Sequence, residues 1–252
     1  MGFDALPSLD QIAVALPTLA VAYIIFGIAG FGTALIAAPV LAHSMPVSAI
    51  VPTLALLDCA AAIVNGVRIG DKVARDELFT LVPLMVAGSL VGAWLLLIVP
   101  PRPMMLALGV FVVLYAVYAL LAPPPRGRLA RPWVLPFGGI GGIVSAMFGS
   151  GGFIYAIYLG RRLDDKDAIR ATQSALIGLS TFTRAVIFAF AGVYSDGRLV
   201  VLALLLVPGM LLGTWAGHHV TLRLSREQFL RILYVVLIGS GITLVIRALP
   251  SM

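Results

Sequence analysis

Gly27-Ile28-Ala29-Gly30-Phe31-Gly32-Thr33 and Phe148-Gly149-Ser150-Gly151-Gly152 are the stretches on which the fold turns. Each is a glycine cluster between two apolar runs, 11 to 28 and 31 to 42 around the first, 133 to 148 and 151 to 160 around the second. A hydrocarbon core of about 30 Å takes roughly 20 helical residues to cross, so the run after each cluster is too short to span. Both clusters therefore predict a helix broken inside the membrane. Outward from them lie long apolar stretches at 46 to 66, 78 to 99, 104 to 122, 168 to 192, 199 to 217 and 228 to 248.

Hydrophobic residues make up 61% of the 252 positions and charged residues 11%, which excludes a water-exposed globular surface. Gaps of about 4 to 11 residues between the stretches leave no room for a soluble catalytic or nucleic-acid-binding domain. The fold class is an all-α polytopic membrane protein. The net charge of +6 comes from basic residues scattered through short loops, with no patch that would hold nucleic acid. A single cysteine, Cys59, excludes a disulfide or Cys-based metal site within one chain. No Lys or Arg precedes Arg68, so the first apolar stretch lacks the basic flank of a cleaved signal and is expected to stay. Leu6 stands where a myristoylation signal has Ser or Thr.

The chain repeats. An offset of 119 aligns Gly30, Gly32, Thr53 and Asn65 with Gly149, Gly151, Thr172 and Arg184, and Gly88-x-x-x-Gly92-x-Trp94 recurs as Gly209-x-x-x-Gly213-x-Trp215. The expected halves are 1–122 and 132–252, joined by a Pro- and Arg-rich linker at 123–131. Thirteen of the seventeen basic residues fall in loops 67 to 77, 123 to 132, 161 to 170 and 218 to 231, which places these loops in the cytoplasm. Each half then holds one broken-helix hairpin and three crossing helices. Both termini come out non-cytoplasmic, and the halves are inverted repeats, the organisation of many secondary transporters. The competing reading of each glycine cluster is close helix packing.

Helices that begin inside the membrane direct unpaired N–H groups at the interior, and glycines let a ligand approach them. The candidate binding residues are Phe31, Gly32 and Thr33 at the first break and Ser150, Gly151 and Gly152 at the second. Thr53, Thr172 and Gln173 are candidate donors on the following helices. Ser and Thr also bond their own helix, which is the plainer reading of each hydroxyl. Arg184 lies inside an apolar stretch, where exposure to lipid costs about 2.5–3.5 kcal/mol, so it should face a cavity or a partner. Its planar fork suits a carboxylate or sulfonate; the alternative is a salt bridge to Asp58. Asp58 is a candidate proton carrier or a structural partner. His43, His218 and His219 fall at helix ends and are read as interfacial.

The broken helix running from Gly30-Phe31-Gly32-Thr33 to Pro39, its echo at Phe148–Gly152, the Thr-bearing helix that follows in each half and the total length resemble the sulfite exporter TauE/SafE family of bacterial membrane permeases. The resemblance covers nearly the whole chain. Thr33 and Ala34 depart from it where glycine is common, and Tyr158 where proline is. It implies transport, usually outward, of a sulfur-containing or organic anion such as sulfite, sulfoacetate or another sulfonate, across the bacterial inner membrane. A passive anion channel and a structural membrane subunit are alternatives. An intramembrane serine protease at Ser150 is a weaker one, because Phe148 occupies the position where such enzymes carry glycine and no His lies in an apolar run. No cofactor, metal or nucleic acid is expected. The expected partners are the anion and the bilayer, with a homodimer left open.

Overall fold

The computed structural model describes residues 9–29, 32–64, 72–121, 127–195, 197–219 and 226–249, and these residues are helical apart from turns. The first five helices are α1 (Leu9–Ala29), α2 (Thr33–Leu41), α3 (Val47–Val64), α4 (Arg75–Ile98) and α5 (Pro101–Leu121). A short 3-10 turn, Arg131–Trp133, leads into α6 (Val134–Phe148), α7 (Gly152–Leu159), α8 (Lys166–Phe190), α9 (Arg198–His219) and α10 (Arg226–Ala248). Among the described residues, α4, α5, α8 and the Arg198–Gly217 part of α9 are long and apolar enough to cross a membrane, and α1, α3 and α10 contain shorter apolar segments.

Both expected breaks are present, each with a backbone reason. Gly32 caps the start of α2 at φ +99°, and Gly149 ends α6 at φ +71°, left-handed conformations that residues with a Cβ rarely adopt. Gly149 N–H closes α6 on the Ser145 carbonyl at 2.8 Å. Beyond it α7 folds back so tightly that a Cβ on Gly151 would lie 2.3 Å from the Gly141 carbonyl oxygen. The chain then turns into α8, where the Asp165 carboxylate caps the helix by accepting from Asp167 N and Ala168 N.

Helix pairing follows an exchange pattern. The most extensive contacts are α1 with α9, α4 with α6, and α5 with α10; α3 packs on α8 and α9, and α8 on α3 and α4. The repeated Gly-x-x-x-Gly motifs make two of these contacts. A Cβ on Gly88 or Gly92 would lie 2.1 or 2.4 Å from the carbonyl oxygens of Gly139 and Ile143 on α6. On Gly209 or Gly213 it would lie 2.9 or 2.4 Å from those of Leu16 and Ala20 on α1. Helices in lipid gain no hydrophobic energy from association, so backbone approach of this kind is what dispersion between them requires. Trp94 and Trp215, two residues beyond each motif, both face outward.

Where α4 begins and α7 ends, a polar knot joins the elements. Arg162 donates through Nε (2.9 Å) and Nη2 (2.6 Å) to Glu77 Oε1, Tyr158 donates to Glu77 Oε2 (2.7 Å), and Arg162 Nη1 reaches the Leu129 carbonyl (3.1 Å). Nearby, Lys72 donates to Asp167 in the first turn of α8. In the partly buried Glu77 knot, hydrogen bonds to the charged groups contribute about 1.5–3 kcal/mol each. Glu77→Gln keeps the shape and removes the charge, and is expected to destabilise the protein by about 1–3 kcal/mol, read as a lowered Tm in detergent. An unchanged Tm would show the knot to be ornamental.

Candidate functional site

Five helices meet around one charge pair. Arg184 projects from α8, 2% exposed, and Asp58 from α3, with 13% of its side chain exposed; Arg184 Nη2 lies 3.3 Å from Asp58 Oδ2. Asp58 Oδ1 accepts from Tyr23 Oη of α1 (2.8 Å) and from Thr33 Oγ1, the first residue of α2 (3.0 Å). On the other side, Arg184 Nη1 donates to the Ser145 carbonyl near the end of α6 (3.1 Å), and Nη2 also reaches Thr181 Oγ1 (3.4 Å). The same Ser145 carries a hydroxyl 2.6 Å from that of Ser180.

The helix ends suit this arrangement. The N-terminal end of α2, positive by its free N–H groups, faces the carboxylate through Thr33, while the carbonyl end of α6 faces the guanidinium. The second break touches the pair directly, since a Cβ on Gly149 would lie 2.9 Å from Arg184 Nη1 and 2.4 Å from Ala34 Cβ of α2. Both broken helices thus converge on one point. Arg184 Nε is fully buried there without a hydrogen-bond partner. A buried donor left unsatisfied costs about 1–3 kcal/mol, so an added acceptor at Nε would be stabilised.

The sequence candidates divide. Gly32, Thr33, Asp58 and Arg184 are in or beside the cluster, and Ser150 and Gly151 follow directly on Gly149; Gly152 starts α7. Ser150 Oγ donates to the Phe148 carbonyl at 3.1 Å. Thr53, one and a half turns from Asp58, donates to the Ala49 carbonyl of its own helix at 2.8 Å. Thr172 accepts from Ala74 N at 2.9 Å, tying α8 to the start of α4. At 1.5 Å per residue, Thr172 and Gln173 lie about 16–18 Å along α8 from Arg184, so the structure does not bring them to the cluster. Phe31 lies outside the described residues. Tyr23, Ser145 and Ser180 were not singled out by the sequence, because each is one of several similar residues in apolar runs and only the packing selects it. A separate cavity of about 310 Å³, lined by residues including His43, Met45, Arg102 and Met105, opens where the α2–α3 and α4–α5 turns meet.

The chain has a counterpart among known families. The family model described as Sulfite exporter TauE/SafE matches residues 15–244. The chain belongs to the sulfite exporter TauE/SafE family. A curated relative is the "Probable inner membrane transporter protein TsaS" of Comamonas testosteroni, 24% identical over 190 residues, which are 75% of this chain and 80% of that protein. No solved structure matches the chain. As a TauE/SafE member the chain is a membrane transporter and not an enzyme, so Ser150 belongs to the second break and not to a nucleophilic centre.

Proposed function

We propose that the chain is a secondary transporter, working as an exporter, of a small sulfur-containing or organic anion such as sulfite or a sulfonate. The anion binds at Arg184 between the two breaks, with Thr33, Ser150 and the backbone at Gly32, Gly151 and Gly152 around it, and Asp58 carries a coupled proton. The observation that carries this reading is the buried, unpartnered Nε of Arg184 where α2, α6 and α7 converge. A desolvated anion needs a compensating charge and several donors, and among the described residues no other Lys or Arg is buried.

The reading includes two inverted repeats, 1–122 and 132–252, in the bacterial inner membrane with both termini outside the cytoplasm. What supports the repeat is reciprocity: α1 takes the Gly-x-x-x-Gly face of α9 as α6 takes that of α4, and α5 pairs with α10.

The test is uptake and efflux of sulfite, sulfonates and carboxylates in proteoliposomes with an imposed pH gradient. Saturable movement of an anion driven by the gradient is expected. Large unitary currents without coupling would make the protein a channel, and no movement of any anion would sink the substrate class.

A further inference from the structure

We propose that Asp58 and the transported anion compete for one edge of Arg184, so that each anion travels with one proton held on Asp58; this rests on the transport reading above. The guanidinium has two uses in the structure. Nη1 is committed to the protein through the Ser145 carbonyl. The side-on edge, formed by Nε and Nη2, is only half occupied: Nη2 makes a long 3.3 Å contact to Asp58 Oδ2, and Nε has no partner. This is the edge that takes two oxygens of a carboxylate or sulfonate in a bidentate pair.

The carboxylate is divided in the same way. Oδ1 holds both neutral donors, Tyr23 Oη and Thr33 Oγ1, whereas Oδ2 has Arg184 alone. A proton from the aqueous phase on the loading side therefore adds to Oδ2, forming the O–H bond while the Nη2–H···Oδ2 contact breaks. The two anion oxygens then take Nη2 and Nε, and Oδ1 keeps its donors. On release the anion leaves, the proton returns to water and the contact re-forms.

Electrostatics makes the proton obligatory. The empty site holds one positive and one negative charge. With a monovalent anion bound and Asp58 still ionised it would carry a net negative charge, which the low-dielectric interior opposes. With Asp58 protonated the loaded site is neutral again. Besides Arg184 on α8, the titratable groups about this point are Tyr23 on α1, Cys59 on α3 and Tyr194 beyond α8, with Tyr155 of α7 beside Ser180 and Arg184; α2 contributes the Thr33 hydroxyl and α6 a carbonyl. Arginine stays protonated in proteins, and the ordinary values for tyrosine and cysteine, about 10 and 8.5, lie above neutrality, which leaves Asp58 to exchange the proton.

The experiment uses the full chain in proteoliposomes with a trapped pH indicator, valinomycin-set potentials and radiolabelled methanesulfonate, isethionate and sulfoacetate. These sulfonates are strong acids, so their sulfonate groups bring no proton of their own. About one proton per anion is expected. For the monovalent sulfonates uptake should follow the pH difference and ignore the membrane potential. Asp58→Asn leaves the loaded site neutral but the empty one charged, so anion-for-anion exchange should persist while pH-driven net uptake falls by roughly tenfold or more. Wild-type anion flux that carries charge and no protons would overturn the proton coupling, here and in the reading above, and leave anion transport at Arg184 standing, and it decides the matter even if the variant does not fold. Asp58→Asn that keeps pH-driven net uptake would also overturn it. Failure of all three anions to move under any gradient would overturn the sulfonate-transport reading together with the coupling.

Discussion

Arg184→Ala is expected to abolish anion transport while the protein still folds. The side chain is the one buried cation among the described residues, and truncating one partner of a buried, hydrogen-bonded charge pair costs about 2–5 kcal/mol. At about 1.4 kcal/mol per decade, that is roughly a 30-fold to several-thousand-fold loss of anion affinity. Folding should survive because Asp58 can take a proton and still holds Tyr23 and Thr33 as donors. Arg184→Lys should recover little: an ammonium cannot reach the Ser145 carbonyl and present a second pair of parallel donors together. Transport in proteoliposomes and Tm in detergent separate the two effects. If Arg184 serves only to neutralise Asp58, the double change Arg184→Ala with Asp58→Ala should restore transport, and restored transport would end its role as an anion clamp.

Gly149→Ala should be the most damaging single-methyl change at the site. At φ +71° a Cβ costs about 1–2 kcal/mol in backbone strain, and here the methyl would also stand 2.4 Å from Ala34 Cβ and 2.9 Å from Arg184 Nη1. Overpacking of that kind adds about 1–3 kcal/mol, for a total of about 2–5 kcal/mol. Gly127 supplies the control, since it has φ +77° and nothing within 4 Å of its would-be Cβ. Gly127→Ala should show the backbone strain alone. Equal losses of Tm in the two variants would mean that packing of the second break against α2 and Arg184 contributes nothing measurable.

Much of the architecture was legible because membrane helices announce themselves locally. Apolar length marked the spans, and the glycine clusters marked both breaks within a residue or two of Gly32 and Gly149. Arg184 stood out because a charge in an apolar run has few harmless explanations, and its pairing with Asp58 was one of two readings the sequence left open. The donors were harder. Thr53 and Thr172 align at equivalent repeat positions, yet one bonds its own helix and the other receives Ala74 N–H. A hydroxyl's partner depends on helix rotation and tilt, which residue spacing along one helix does not fix. Tyr23 and Ser145 were hidden for the same reason: their importance lies in distances across α1, α3, α6 and α8, not in any local pattern.

The Arg184–Asp58 contact joins residues 126 positions apart. Asp58 therefore enters the membrane long before its counter-charge exists. At about 5–20 residues per second, ribosomal synthesis leaves α3 without α8 for roughly 6 to 25 seconds. An ionised carboxylate in the nascent bundle would have only Tyr23 and Thr33 to answer it, both already made, and an acidic residue at the centre of an inserting helix costs about 2.5–3.5 kcal/mol. A proton on Asp58 would remove that charge cost until α8 brings Arg184 within reach of the carboxylate.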